Sequence, residues 1–100
     1  MKSVKKIFKH PVEIDDESTI KLPAGAHILS IKEQHNNIVL YAVVPFPIQE
    51  DVMKKITIKM VGTGHDIDFD IKDYEFLGTV SLHGGELMFH VFYHDHGYMG

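Results

Sequence analysis

Two stretches of the chain bring together side-chain types that bind or react. Val61-Gly62-Thr63-Gly64-His65-Asp66 follows an alternating apolar segment and carries two glycines, whose backbone amides can approach a phosphate or carboxylate closely. Lys59 upstream adds a cation and Tyr74 downstream a flat ring and a hydroxyl. Lys59, Gly62, Thr63, Gly64, His65 and Tyr74 are therefore the candidate set for a small nucleotide-type ligand. The motif matches neither the phosphate loop Gly-x-x-x-x-Gly-Lys-Ser/Thr nor the Gly-x-Gly-x-x-Gly fingerprint, and no helix follows it. Its plainer meaning is a bend or bulge at the end of a strand.

Immediately downstream, Asp66, Asp68, Asp70 and Asp73 are interleaved with Ile67, Phe69 and Ile71. On a strand this spacing puts three carboxylates on one face. Oxygen ligands suit calcium or magnesium, but the run lacks the glycine and the distal glutamate of a calcium loop. A solvated acidic face is simpler, and it gives an alternative binding set, the four aspartates against a basic protein surface.

Eight histidines are many for this length, and His90, His94, Asp95 and His96 crowd the end. On a strand His90 and His94 lie about 13 Å apart, too far to share a metal, and His94 with His96 lacks a fixed third ligand. No metal and no cofactor is assigned; His90 is expected to be satisfied in or beside a sheet and residues 94–100 to form a flexible polar tail. The serines are Ser3, Ser18, Ser30 and Ser81, none in a Gly-x-Ser-x-Gly elbow, so no catalytic residue is assigned and the chain reads as a non-enzyme.

Strands must position these residues. Residues 55–60 alternate strictly, with Ile56, Ile58 and Met60 toward a core and Lys55, Thr57 and Lys59 toward water. Residues 26–32 and 38–44 flank Gln34-His35-Asn36-Asn37, and residues 76–82 and 87–93 flank His83-Gly84-Gly85-Glu86; both pairs read as hairpins. Residues 4–9 and 19–22 are shorter edge strands, the second running into the turn Pro23-Ala24-Gly25. Residues 45–52, with two prolines, read as a loop, and residues 49–54 as at most a turn of helix. Phe76, Phe89 and Phe92 are candidate core residues; Tyr41, Tyr74 and Tyr93 are candidates to present a ring and hydroxyl. The expectation is an all-β fold with at most one short helix, a small antiparallel β-sandwich or partly open barrel. It comprises one domain, residues 1–93, plus the tail, and its exposed edges suit a homo-oligomer.

At 100 residues the chain has room for one core, removing roughly 60 to 70% of its unfolded surface from water. Ten lysines against fourteen acids give a net charge of −4, with no arginine, which opposes extended nucleic acid as a partner. Without cysteine there is no disulfide and no thiolate chemistry. Neither a signal peptide nor an apolar run of about 20 residues is evident, so a membrane role is not expected and the cytosol is.

Lys6-Ile7-Phe8-Lys9-His10-Pro11-Val12-Glu13-Ile14 and Leu22-Pro23-Ala24-Gly25-Ala26-His27-Ile28-Leu29-Ser30-Ile31, followed by Gln34 and Leu40-Tyr41-Ala42-Val43-Val44, resemble the opening of a family of small uncharacterised proteins of tailed phages and prophages. Val61-Gly62-Thr63-Gly64-His65, Tyr74-Glu75-Phe76-Leu77-Gly78-Thr79-Val80 and residues 87–92 resemble its second half; this chain continues beyond Phe92, where the family often stops. The resemblance implies viral origin and residence in the host cytoplasm, and brings no established activity or site residues. It motivates three expectations: a non-enzymatic counter-defence protein that sequesters a nucleotide-type immune signal, an inhibitor that binds a host defence protein directly, or a minor virion or assembly protein.

Overall fold

The computed structural model describes residues 4–48 and 52–98. Seven strands, β1 (Val4–Val12), β2 (Glu17–Pro23), β3 (His27–Gln34), β4 (Asn37–Phe46), β5 (Met53–Gly62), β6 (Glu75–Leu82) and β7 (Leu87–Tyr98), form two antiparallel sheets. One has the order β1-β4-β3 and the other β2-β5-β7-β6, stacked as a small sandwich that does not close into a barrel. Among the described residues, no helix is long and apolar enough to cross a membrane.

Period-two alternation builds the core. Ile38, Leu40, Ala42 and Val44 of β4 meet Ile56, Ile58 and Met60 of β5 and Val91 of β7, with Ile20, Leu22, Ile31, Val80 and Leu82 completing the cluster. β1 and β2 are edges, as expected, of the three-stranded and the four-stranded sheet respectively, although β1 runs to nine residues and is not short.

Turn chemistry sets the registers. In the β3–β4 hairpin the closing pair is Gln34 and Asn37, and the two loop residues His35 and Asn36 have φ of 54° and 63°, the geometry of a type I′ turn. The β6–β7 hairpin closes at Leu82 and Leu87 around four residues; the His83 carbonyl accepts the Glu86 N–H at 3.3 Å across Gly84 and Gly85, whose φ of 67° and 95° are those of the primed turn that the paired glycines suggest, with His83 also left-handed at φ 52°. The turns touch, because the Asn36 side-chain oxygen accepts the His83 N–H at 3.1 Å. On the same flank Gly78 lets β6 approach β3; a Cβ there would stand 3.0 Å from Ile31 Cγ2.

Four expectations need correction. β4 continues through Pro45 and Phe46, which pair with Lys5 and Val4, so the loop is shorter than the prolines suggest; Met53 and Lys54 belong to β5, and residues 49–51 lie outside the described residues. The tail is sheet as far as Tyr98, since β5 begins early enough for Asp95 to pair with Ile56 and Tyr98 with Lys54; Met99 and Gly100 lie outside the described residues. Thr57 is buried rather than wet. Phe76 is 60% exposed, because it shares the outer face of its sheet with its partner Phe92.

One charge is drawn inside. Lys54 lies on the core side of β5, with Nζ donating to the Ala26 carbonyl and to Asp95 Oδ2, each at 2.7 Å. It ties the chain entering β3 to β5 and β7, across the two sheets, and its pairing removes the penalty that an isolated buried ammonium carries.

Candidate functional site

Register assigns the outer face of the four-stranded sheet. Residues opposite one another in antiparallel strands share a face, so with Ile56, Ile58 and Met60 inward, Thr57, Lys59, His90, Phe92, His94, Thr79 and Phe76 point outward. The connection formed by residues 63–74 folds over this face instead of running as a strand. Phe69 anchors it, its ring centroid 5.7 Å from that of Phe92 and 4.7 Å from that of Tyr74, with Lys59 Nζ 5.4 Å from the Phe69 ring. Phe76 extends this aromatic row at 5.4 Å from Phe92, and Tyr74 continues it to His94 at 5.7 Å.

Polar bonds pin both ends of the connection. The Thr63 N–H donates to the Met88 carbonyl at 3.3 Å, and His90 is clamped between two hydroxyls, Nε2 2.8 Å from Thr63 Oγ1 and Nδ1 3.0 Å from Thr79 Oγ1. His90 is thus satisfied beside the sheet. At the other end the His94 Nδ1–H donates to the Asp73 carbonyl at 2.8 Å. His96 contacts Thr57 Oγ1 at 2.7 Å and lies edge-on to His94, with burial and the adjacent His94 and Lys55 charges lowering its pKa. Among the described residues, no group of three or more His, Cys, Asp and Glu side chains could hold a metal ion.

Between the connection and the β2 edge lies a cleft of about 290 Å³. Lys59, Gly62 and His65 line it, together with Phe69, Asp66 and Asp68 from the connection and Asp16 and Glu17 opposite. The glycine segment and the first two aspartates therefore share one surface. Lys59 bonds Glu17; that hydrogen bond raises the lysine pKa and lowers that of the glutamate. Glu17 holds the ammonium, and Asp16, Asp66 and Asp68 add three further carboxylates to the cleft lining.

The rest of the candidate set is engaged elsewhere. Gly62 to His65 is a turn closed by the His65 N–H donating to the Gly62 carbonyl at 3.0 Å, with Gly64 at φ 87°. The Thr63 and His65 amides are already bonded, which leaves little of the amide cradle that a phosphate needs. His65 folds back so that a Cβ on Gly62 would lie 3.2 Å from its ring. Tyr74 does not line the cleft; it packs on Phe69 and His94.

The four aspartates do not share a strand face, because residues 64–70 are irregular. Asp66 and Asp68 line the cleft, whereas Asp70 caps the 3-10 turn Ile71–Asp73, its Oδ1 accepting the Lys72 N–H at 3.0 Å. Of the tyrosines, Tyr93 turns inward against the core and its hydroxyl donates to Glu75 Oε2 at 2.9 Å; burial, then that bond, raises its pKa. Phe89 packs against the core as expected, while Phe92 is buried on the opposite face, under Phe69. Parity along β7 carries this signal: Phe89, Val91 and Tyr93 alternate with His90, Phe92 and His94, so one phenylalanine falls among the outward histidines.

No curated protein and no solved structure matches the chain. A family model described as a domain of unknown function, DUF7352, matches residues 3–98. With nearly its whole length matched, the chain belongs to this uncharacterised DUF7352 family.

Proposed function

We propose that this chain is a phage-encoded, non-enzymatic binding protein of the host cytoplasm that counters a host defence component by covering a protein rather than by sequestering a nucleotide. The charge of the cleft carries the choice. Asp16, Glu17, Asp66 and Asp68 line a cleft that, among the described residues, holds one lysine, already bonded by Glu17, so an incoming phosphate meets carboxylates and must displace one to gain one cation. The same groups, with the exposed Ile67 and Ile71 on the connection above them, make an acidic and apolar surface suited to a basic partner. Phage origin and the host setting rest on the sequence resemblance. The hydroxyl–imidazole contacts favour a binding role over catalysis, because among the described residues no carboxylate bonds to His90 or His96 to orient it as a general base.

Native mass spectrometry of the protein with a panel of cyclic and adenine nucleotides tests the choice. The expected spectrum holds no nucleotide; a retained nucleotide, lost in a Lys59→Ala variant, refutes the protein-covering reading in favour of signal sequestration. Capture of host proteins by the wild-type chain is expected to weaken at high salt and to fail with Asp66→Lys/Asp68→Lys.

A further inference from the structure

β1 presents an unusual edge. It pairs with β4 over nine residues without a register shift, and among the described residues β4 is its one partner in the sheet. Residues 4–9 are exposed at every position, so neither face of this half of the strand is covered by the second sheet. Three of the six are large and apolar, Val4 at 51% exposure, Ile7 at 63% and Phe8 at 41%, and the other three are Lys5, Lys6 and Lys9. Beside Phe8 a hollow of about 200 Å³ is walled by Leu22, Pro23, Val44 and Ile48, with room for an apolar side chain.

Lysines on an edge strand normally discourage pairing, together with short length, bulges or a covering element. Here the lysines stand on an edge that is long, regular and, among the described residues, uncovered, so they choose the charge of what pairs. Among the described residues the ion pairs are Lys54 with Asp95 and Lys59 with Glu17; Lys6 lies over the Phe46 ring and Lys9 bonds Gln34, neither of them a carboxylate contact. A second copy is a poor occupant, since antiparallel pairing of β1 with itself brings three lysines from each strand into one ribbon, where like charges on neighbouring positions repel.

We propose that the β1 edge is a second docking surface, which accepts by strand addition an extended segment of another protein in which acidic residues alternate with apolar ones. Main-chain bonds to the edge give affinity, the lysines select the acidic side chains, and the hollow beside Phe8 takes one apolar side chain. This surface lies on the three-stranded sheet and stands independently of the acidic connection on the other sheet.

Two capped synthetic peptides test it, Glu-Leu-Glu-Val-Glu-Leu-Glu and Lys-Leu-Lys-Val-Lys-Leu-Lys, with amide hydrogen exchange by NMR and fluorescence anisotropy as readouts. The acidic peptide is expected to slow exchange in β1. In Lys5→Glu/Lys9→Glu, whose altered side chains are both exposed, it is expected to bind about tenfold more weakly, while the basic peptide gains binding. The proposal falls if the acidic peptide leaves β1 exchange unchanged or if wild type binds both peptides equally. It also falls if the protein alone sediments as a dimer with β1 already protected, which would make a second copy the occupant.

Discussion

At the scale of single residues, the charges that matter most are those drawn inward. Buried Lys54 ties the sheets at one end through the Ala26 carbonyl, and its exposed ion-pair partner Asp95, on the same sheet, feels opposing influences: burial works to raise its pKa, but the hydrogen bonds from Lys54 and the Gly97 N–H outweigh it, so the value lies below the usual one. A lowered native pKa means that the ionised carboxylate stabilises the fold above about pH 4. That contribution is lost as the pH falls through the native value. Asp95→Asn should therefore lower stability at neutral pH by about 1 to 2 kcal/mol, allowing for the partial exposure of the carboxylate, and should flatten the loss of stability below about pH 4. Urea midpoints measured across pH check both. None of this was legible from composition, since Lys54 sits in a run of two lysines that reads as solvated; only its place on the inward parity of β5 buries it.

At the scale of elements, the turns were the most legible parts and also the most testable. Asn36 does two jobs: it accepts a left-handed backbone, and its side chain fastens the β3–β4 turn to the β6–β7 turn. Asn36→Gly keeps the backbone freedom and loses the bond, so a destabilisation of about 1 kcal/mol is expected. Asn36→Ala loses both and should cost about 1 kcal/mol more. Thermal unfolding of the two variants separates these contributions. Gly78 sets the approach of β6 to β3, and Gly78→Val should destabilise by about 1 to 3 kcal/mol through the clash with Ile31. The double variant with Ile31→Ala is expected to lose less than the two single changes summed, and additive losses would mean that the two sites do not meet. By contrast the connection over residues 63–74 misled: the alternation of aspartate with Ile67, Phe69 and Ile71 looks like a strand, yet Phe69 had a half-buried place to fill on Phe92. Local period cannot report that a neighbouring face offers an aromatic partner.

At the scale of the whole molecule, the sandwich is joined at one end by Lys54 and at the other by the paired turns, with the core between. The two sheets should therefore unfold together. Far-ultraviolet circular dichroism and tyrosine fluorescence are expected to give one coincident urea transition, and a separate early transition in either signal would show that the sheets are independent units. The all-β class, both hairpins, the edge positions of β1 and β2 and most of the core were legible in the residues alone, because alternation and turn preference act between residues close along the chain. The sequence also identified Lys59, Gly62, His65 and the aspartates as chemically notable. Only packing sets what those residues can do: Glu17 holds Lys59, Asp66 and Asp68 line the same cleft, Phe92 and Phe69 meet edge-on outside the core, and half of β1 is uncovered by the described residues. Each depends on strands distant in sequence sharing a face or an edge, and pairing fixes that only when the whole chain has folded.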